Sequence, residues 1–179
     1  MLNLSSRNLS SRKIALAVAI FCLVIANISQ ARSGKIDACK LISASQASHI
    51  LGSKIKARTI DTSAAGPNAA SMCGYSSKHI NNGFMLIAGH IKYANAANEV
   101  KAQQKLAASH TPPGITKPSF ASVKGIGDAA YLYKTPGAFQ LHVLAHGNSI
   151  VINRNVAANT KLISQAKQLA RIALKQLKH

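Results

Sequence analysis

His142 and His146 stand four residues apart, the spacing at which two imidazoles on one helix face can share a metal ion. Their neighbours alternate in polarity, however, which is the pattern of a strand. On a strand the pair lies roughly 13 Å apart at about 3.4 Å per residue, too far for one ion. Gly125-Ile126-Gly127 follows Lys124 and has the look of a phosphate loop. Such a loop needs Lys-Ser/Thr after its last glycine, or a third glycine and a following helix. Here a strand pattern follows, so the glycines read as a turn with positive φ, with Asp128 bonding its own backbone. Serines and histidines are plentiful, but no Gly-x-Ser-x-Gly elbow occurs. A hydrolase would have to join Asp128 or Glu99 to a histidine in a deep pocket. Any orienting acid or glycosidic pair must come from Asp37, Asp61, Glu99 and Asp128, the only four carboxylates. The sequence therefore points to no catalytic residue, no cofactor and no metal site.

Charge and hydropathy point elsewhere. The chain has 179 residues, 22 of them Lys or Arg against 4 Asp or Glu, for a formal charge of +18. Residues 1–31 read as a secretory signal peptide. Arg7, Arg12 and Lys13 precede an apolar run from Ile14 to Ile28, and Ser29-Gln30-Ala31 offers small residues for cleavage. That run has about 15 residues, whereas a spanning helix needs roughly 20, so an uncleaved anchor is the weaker reading. Cys22 follows Phe21, a bulky residue where a lipoprotein cleavage site needs a small one. Removing 31 of 179 residues, three of them basic, would leave 148 residues with 19 basic against 4 acidic side chains. Residues 32–179 are expected to form one exported domain, periplasmic or secreted, with no stable membrane span once the leader is cut.

Such a chain would keep two cysteines, Cys39 and Cys73. An even count in an exported protein reads as one disulfide. The alternative, a reactive or metal-binding thiol pair, lacks Cys-x-x-Cys or Cys/His ligand spacing.

These residues need elements to hold them. Residues 41–51 suit a helix, with Ser43 and Gln46 as a capping box and Gly52 as its left-handed end. Strands are expected over 54–60, 71–77, 84–93, 119–123 and 129–134. A helix capped by Asn95 should run to Ala108, and a loop holds His110 to Pro118. Phe139 to Arg154 reads as a hairpin turning at Gly147-Asn148, which would pair His142 with Asn153. Its Leu141, Val143, Ala145, Ile150 and Ile152 would face a core. A last helix from Asn159 or Thr160 buries Leu162, Ala166, Leu169, Ala173 and Leu177 at helical spacing. The expected fold class is α+β: a single domain with an antiparallel sheet, helices packed mainly on one face, and one disulfide.

Cys39-Lys-Leu-Ile-Ser-Ala-Ser-Gln-Ala-Ser-His-Ile-Leu-Gly, then Cys73-Gly-Tyr, then Gly125-Ile-Gly-Asp-Ala-Ala-Tyr131 follow one another in order. This order resembles a family of small exported bacterial domains of unknown function, many of them lipoproteins. The resemblance covers most of Asp37 to Leu177. It implies a Cys39–Cys73 disulfide and an α+β sheet-and-helix fold, and it implies no activity. Similar domains act as extracellular ligand-sensing modules, so a non-catalytic binding or accessory role is the expectation. This chain lacks the lipid-bearing cysteine and is more basic.

Two surfaces are singled out for binding. The polar hairpin face, with His142 and Asn153 and joined by His90, is a possible ligand face. Lys167, Arg171, Lys175 and Lys178 flank the last helix and would attract anionic envelope polymers or membranes. Specific nucleic-acid reading is not expected, since residues 32–179 hold seven Phe and Tyr and no Trp for stacking.

Overall fold

Asp37 and Ser43 start two consecutive helices. The computed structural model describes residues 36–65, 70–78, 82–91, 96–109 and 118–177. Asp37 accepts from the Cys39 N–H and opens α1 (Ala38–Leu41). Ser43 and Gln46 form the reciprocal capping box of α2 (Ala44–Leu51), which ends at Gly52 with φ 67°. The helix expected over 41–51 with Ser43 at its start is α2, and α1 is an additional short helix before it. Ile42 between them is extended, and its carbonyl accepts from the Tyr75 hydroxyl at 2.7 Å. Burial, then Asp37, pushes that phenol up to about 12, so it stays a neutral donor.

Seven strands follow: β1 (Ile55–Ile60), β2 (Ser71–Ser77), β3 (Phe84–His90), β4 (Ser119–Ser122), β5 (Ala129–Lys134), β6 (Phe139–Ala145) and β7 (Asn148–Arg154). Helix α3 (Ala96–Ser109) sits between β3 and β4 in the chain, and α4 (Thr160–Leu177) closes the described residues. Asn159 caps α4, its side chain accepting from the Leu162 N–H at 2.9 Å. The strands form one sheet in the order β1-β2-β3-β7-β6-β5-β4, with every neighbouring pair antiparallel. Two meanders, β1–β3 and β4–β7, are thus joined along β3 and β7. The expected α+β class is what the structure has, and Ile36–His179 is one compact unit.

One sheet face carries the core. Leu86, Leu141, Val143, Ile150 and Ile152 are fully buried there under Leu169, Ala166 and Ala173 of α4. Helices α1, α2 and α4 all pack on this side, while α3 touches β5. Each such leucine or isoleucine contributes about 1.5–3 kcal/mol by leaving water. Cys39 and Cys73 are disulfide-bonded with Cα atoms 5.1 Å apart, tying α1 to the centre of β2. Ser71 Oγ accepts from the Ala38 N–H at 3.0 Å and fixes the same junction.

The hairpin register differs from the expectation. Ala145 pairs with Asn148, Val143 with Ile150 and Gln140 with Asn153, so the turn residues are His146 and Gly147. Both have positive φ, 51° and 76°, the type I′ geometry that matches strand twist. Asp128 explains the choice. Its carboxylate does not bond its own backbone but accepts from the His146 N–H at 2.8 Å, while its N–H donates to Leu144 O. The slip leaves each side chain on its expected face. It does separate His142, now opposite Val151, from Asn153. Gly127 stands beside this anchor at φ 64°, where a Cβ would lie 2.6 Å from Leu144 O.

The leader expected over 1–31, the Asn95 cap, most of the 110–118 loop and Lys178 lie outside the described residues. Among the described residues no helix is long and apolar enough to cross a membrane.

Candidate functional site

Strand register sorts the second sheet face into rows. Arg58, Gly74, Met85, Asn153, Gln140, Tyr133 and Phe120 form one row across all seven strands. Ile60, Met72, Ile87, Val151, His142, Tyr131 and Ser122 form the next. The two halves of this face differ in character.

The β4–β6 half is aromatic and faces α3. Phe120 meets Tyr133 edge-on at 5.1 Å, and Tyr131 stacks on His142 at 4.5 Å with planes 14° apart. Tyr131 is 3% exposed, and Glu99 of α3 is buried nearby. Burial first, then the Glu99 charge, raises the Tyr131 phenol above its usual range. A cavity of about 610 Å³ lies between α3 and this half, lined by Val100, Lys101, Phe120, Lys124, Ile126 and Tyr131 among others. His142 Nε2 lies 2.8 Å from Gln140 Oε1. Burial lowers the His142 imidazole from 6.5 to about 4.

That depression predicts an acid-sensitive fold. His142 binds a proton more readily unfolded than folded, so its contribution is intact above about pH 6.5 and is lost as pH falls toward 4. Within that window wild type should lose about 1.4 kcal/mol per pH unit more than His142→Phe. Urea unfolding of both chains at pH 7, 5.5 and 4.5 measures the difference. Parallel pH curves would remove the buried histidine as the cause.

The β1–β3 and β7 half is open. It holds a cavity of about 550 Å³ whose walls include Arg58, Ile60, Ser76, Met85, Asn153 and Asn155, with Gly74 in its floor. Arg58 and Asn155 are exposed, while Asn153, Met85 and Ile60 are half-buried. An apolar floor ringed by a guanidinium and two amides can hold a polar organic molecule flat against the sheet.

The residues expected to form a ligand face are only partly brought together. His142 and Asn153 share the second face, one row apart. His90 pairs with Asn148 and so points to the helix-covered side, exposed at the strand end. There its Nδ1 lies 2.9 Å from Asn148 Oδ1, and Asn148 Nδ2 donates to His146 O. On α4, Arg171 and Lys175 are exposed and Lys167 is half-buried; Lys161, Ser164, Gln168, Arg171 and Lys175 form an exposed stripe. Sequence reasoning passed over Arg58, Gly74, Met85 and Asn155. The available signal was Gly74, a glycine inside a strand between Cys73 and Tyr75, which often marks a close approach by a ligand. Among the described residues no group of three His, Cys, Asp or Glu is placed to hold a metal. No protein-family model, curated protein or solved structure matches the chain.

Proposed function

We propose that this chain is an exported, disulfide-bonded domain that binds a ligand across the open half of its sheet, as a binding or accessory protein and not an enzyme. The Cys39–Cys73 bond carries the reading, because such bonds persist in oxidising compartments. The basic, then apolar, then small-residue pattern of residues 1–31 and the resemblance to exported bacterial domains support it. The binding face is the trough at Arg58, Gly74 and Asn153. Alkaline phosphatase fused after His179, which folds only outside the cytoplasm, tests the export. The fusion should be active in a bacterial host and fall silent when residues 1–31 are deleted. An inactive full-length fusion would overturn the reading.

A second reading is association with anionic envelope polymers or membranes. It is favoured by α4, whose 18 residues include Lys161, Lys167, Arg171 and Lys175 and no acid. Vesicles containing anionic lipid should then bind the chain in a salt-sensitive way. Arg171→Glu with Lys175→Glu should weaken that binding more than Lys54→Glu with Lys56→Glu. Equal losses would mean bulk charge without a face.

A further inference from the structure

The trough has a sign, a floor and a length, and together these describe an occupant. Among the described residues Arg58 is its one charged lining residue, and no carboxylate lines it. A guanidinium presents a planar fork of donors suited to carboxylate or phosphate oxygens. Gly74 makes the floor. Its φ is not in the left-handed region, so the backbone does not demand glycine there. A Cβ at this position would meet Ile60 Cδ1 at 3.5 Å, an ordinary contact, so packing does not demand glycine either. What the missing side chain leaves is a cavity between Arg58 and Met85, its two partners in the row, with the Ile60 side chain along one wall. Glycine weakens a strand interior, and here the gain in exchange is the trough. Asn153 stands three strands from Arg58, a span of roughly 14 Å at about 4.8 Å per strand. One small headgroup cannot reach both ends.

We propose that the trough binds an elongated acid: an oxyanion at Arg58, an apolar middle lying over Gly74 against Ile60 and Met85, and a neutral hydrogen-bonding group at Asn153 and Asn155. The proposal rests on the binding reading above and narrows it to a ligand class. The shared chemistry is a carboxylate or phosphate monoester on a chain of about eight carbons, roughly the length that remains once Arg58 extends toward it.

The test is an amide NMR titration of the oxidised domain with 8-hydroxyoctanoate, octanoate, octyl phosphate, 1,8-octanediol and acetate. Saturable shifts should centre on Gly74, Met85 and Asn153. 8-Hydroxyoctanoate should bind best. The diol, which lacks the anion, and acetate, which lacks the stem, should each bind at least about tenfold more weakly. Octanoate against octyl phosphate tells which oxyanion is preferred. Arg58→Gln, an exposed change, should cost the acids about tenfold and leave the diol unaffected. Gly74→Val should abolish binding of all of them. Absence of saturable shifts, shifts centred elsewhere, or unchanged binding by Arg58→Gln would overturn the proposal. The titration uses folded protein, so its failure leaves the export test standing, and the reverse also holds.

Discussion

Replacing Cys39 and Cys73 together by alanine should lower the unfolding free energy by about 3–4 kcal/mol, the chain-entropy value for a loop of this length. The bond closes a sequence separation of 34 residues. That segment holds α2, β1 and the start of β2, so the unfolded chain gains much freedom when it is cut. The native side adds to the loss. Cys73 is fully buried at the centre of β2, between Thr59 and Leu86 of the flanking strands. Helix α1 has four residues, too few to persist alone, and the bond with the Ala38–Ser71 contact holds it on the sheet. Urea unfolding should show a lower midpoint and a larger m value, because the uncrosslinked chain exposes more surface. Reducing wild type should reproduce the shift. A loss below about 1 kcal/mol would mean that the fold does not depend on the link.

Arg154→Ala should be comparably damaging, at about 3–5 kcal/mol, from the loss of a buried side chain together with an acceptor left unpaired. Arg154 ends β7 on the core face, opposite Phe139, and is 1% exposed. Its Nη1 donates to Gln165 Oε1 at 3.1 Å, and Gln165 Nε2 donates to Ile50 O at 2.9 Å. The relay therefore bolts the sheet to α4 and α4 to the last turn of α2. Burial lowers the Arg154 pKa, yet a guanidinium stays charged in proteins. Truncation removes a long apolar stem and strands the Gln165 carbonyl in the core. Arg154→Met should recover part of the packing and still leave that carbonyl unpaired. Adding Gln165→Leu to Arg154→Met should regain little stability, since it removes the unpaired Gln165 carbonyl but strands the Ile50 carbonyl that the Gln165 amide satisfies. If Arg154→Ala unfolds at the wild-type urea midpoint, the relay holds nothing together.

Local chemistry made much of the fold legible. β2 and β5 occupy the residues expected of them, because alternation bounded by turn residues is a local signal. Ser43, Gln46 and Gly52 mark the ends of α2 for the same reason. The hairpin was harder. His146-Gly147 and Gly147-Asn148 are both two-residue turns, and histidine tolerates positive φ better than most residues. Asp128, distant in sequence, decides between them. Arg154 was hidden, since hydropathy places an arginine outside unless its partner on α4 is known. The trough was hidden more deeply. Arg58, Gly74, Met85 and Asn153 become a row only when β3 pairs with β7 across two meanders. His90 shows the converse error, for a shared polarity along the chain does not guarantee a shared face.

The proposed binding protein is cut after leaving the cytoplasm and then oxidised. Intact-mass measurement of the chain isolated from its native cell envelope tests this most directly. The expected mass is that of residues 32–179 less two hydrogens, with no thiol open to alkylation. A species carrying all 179 residues and reactive thiols at Cys39 and Cys73 would contradict it.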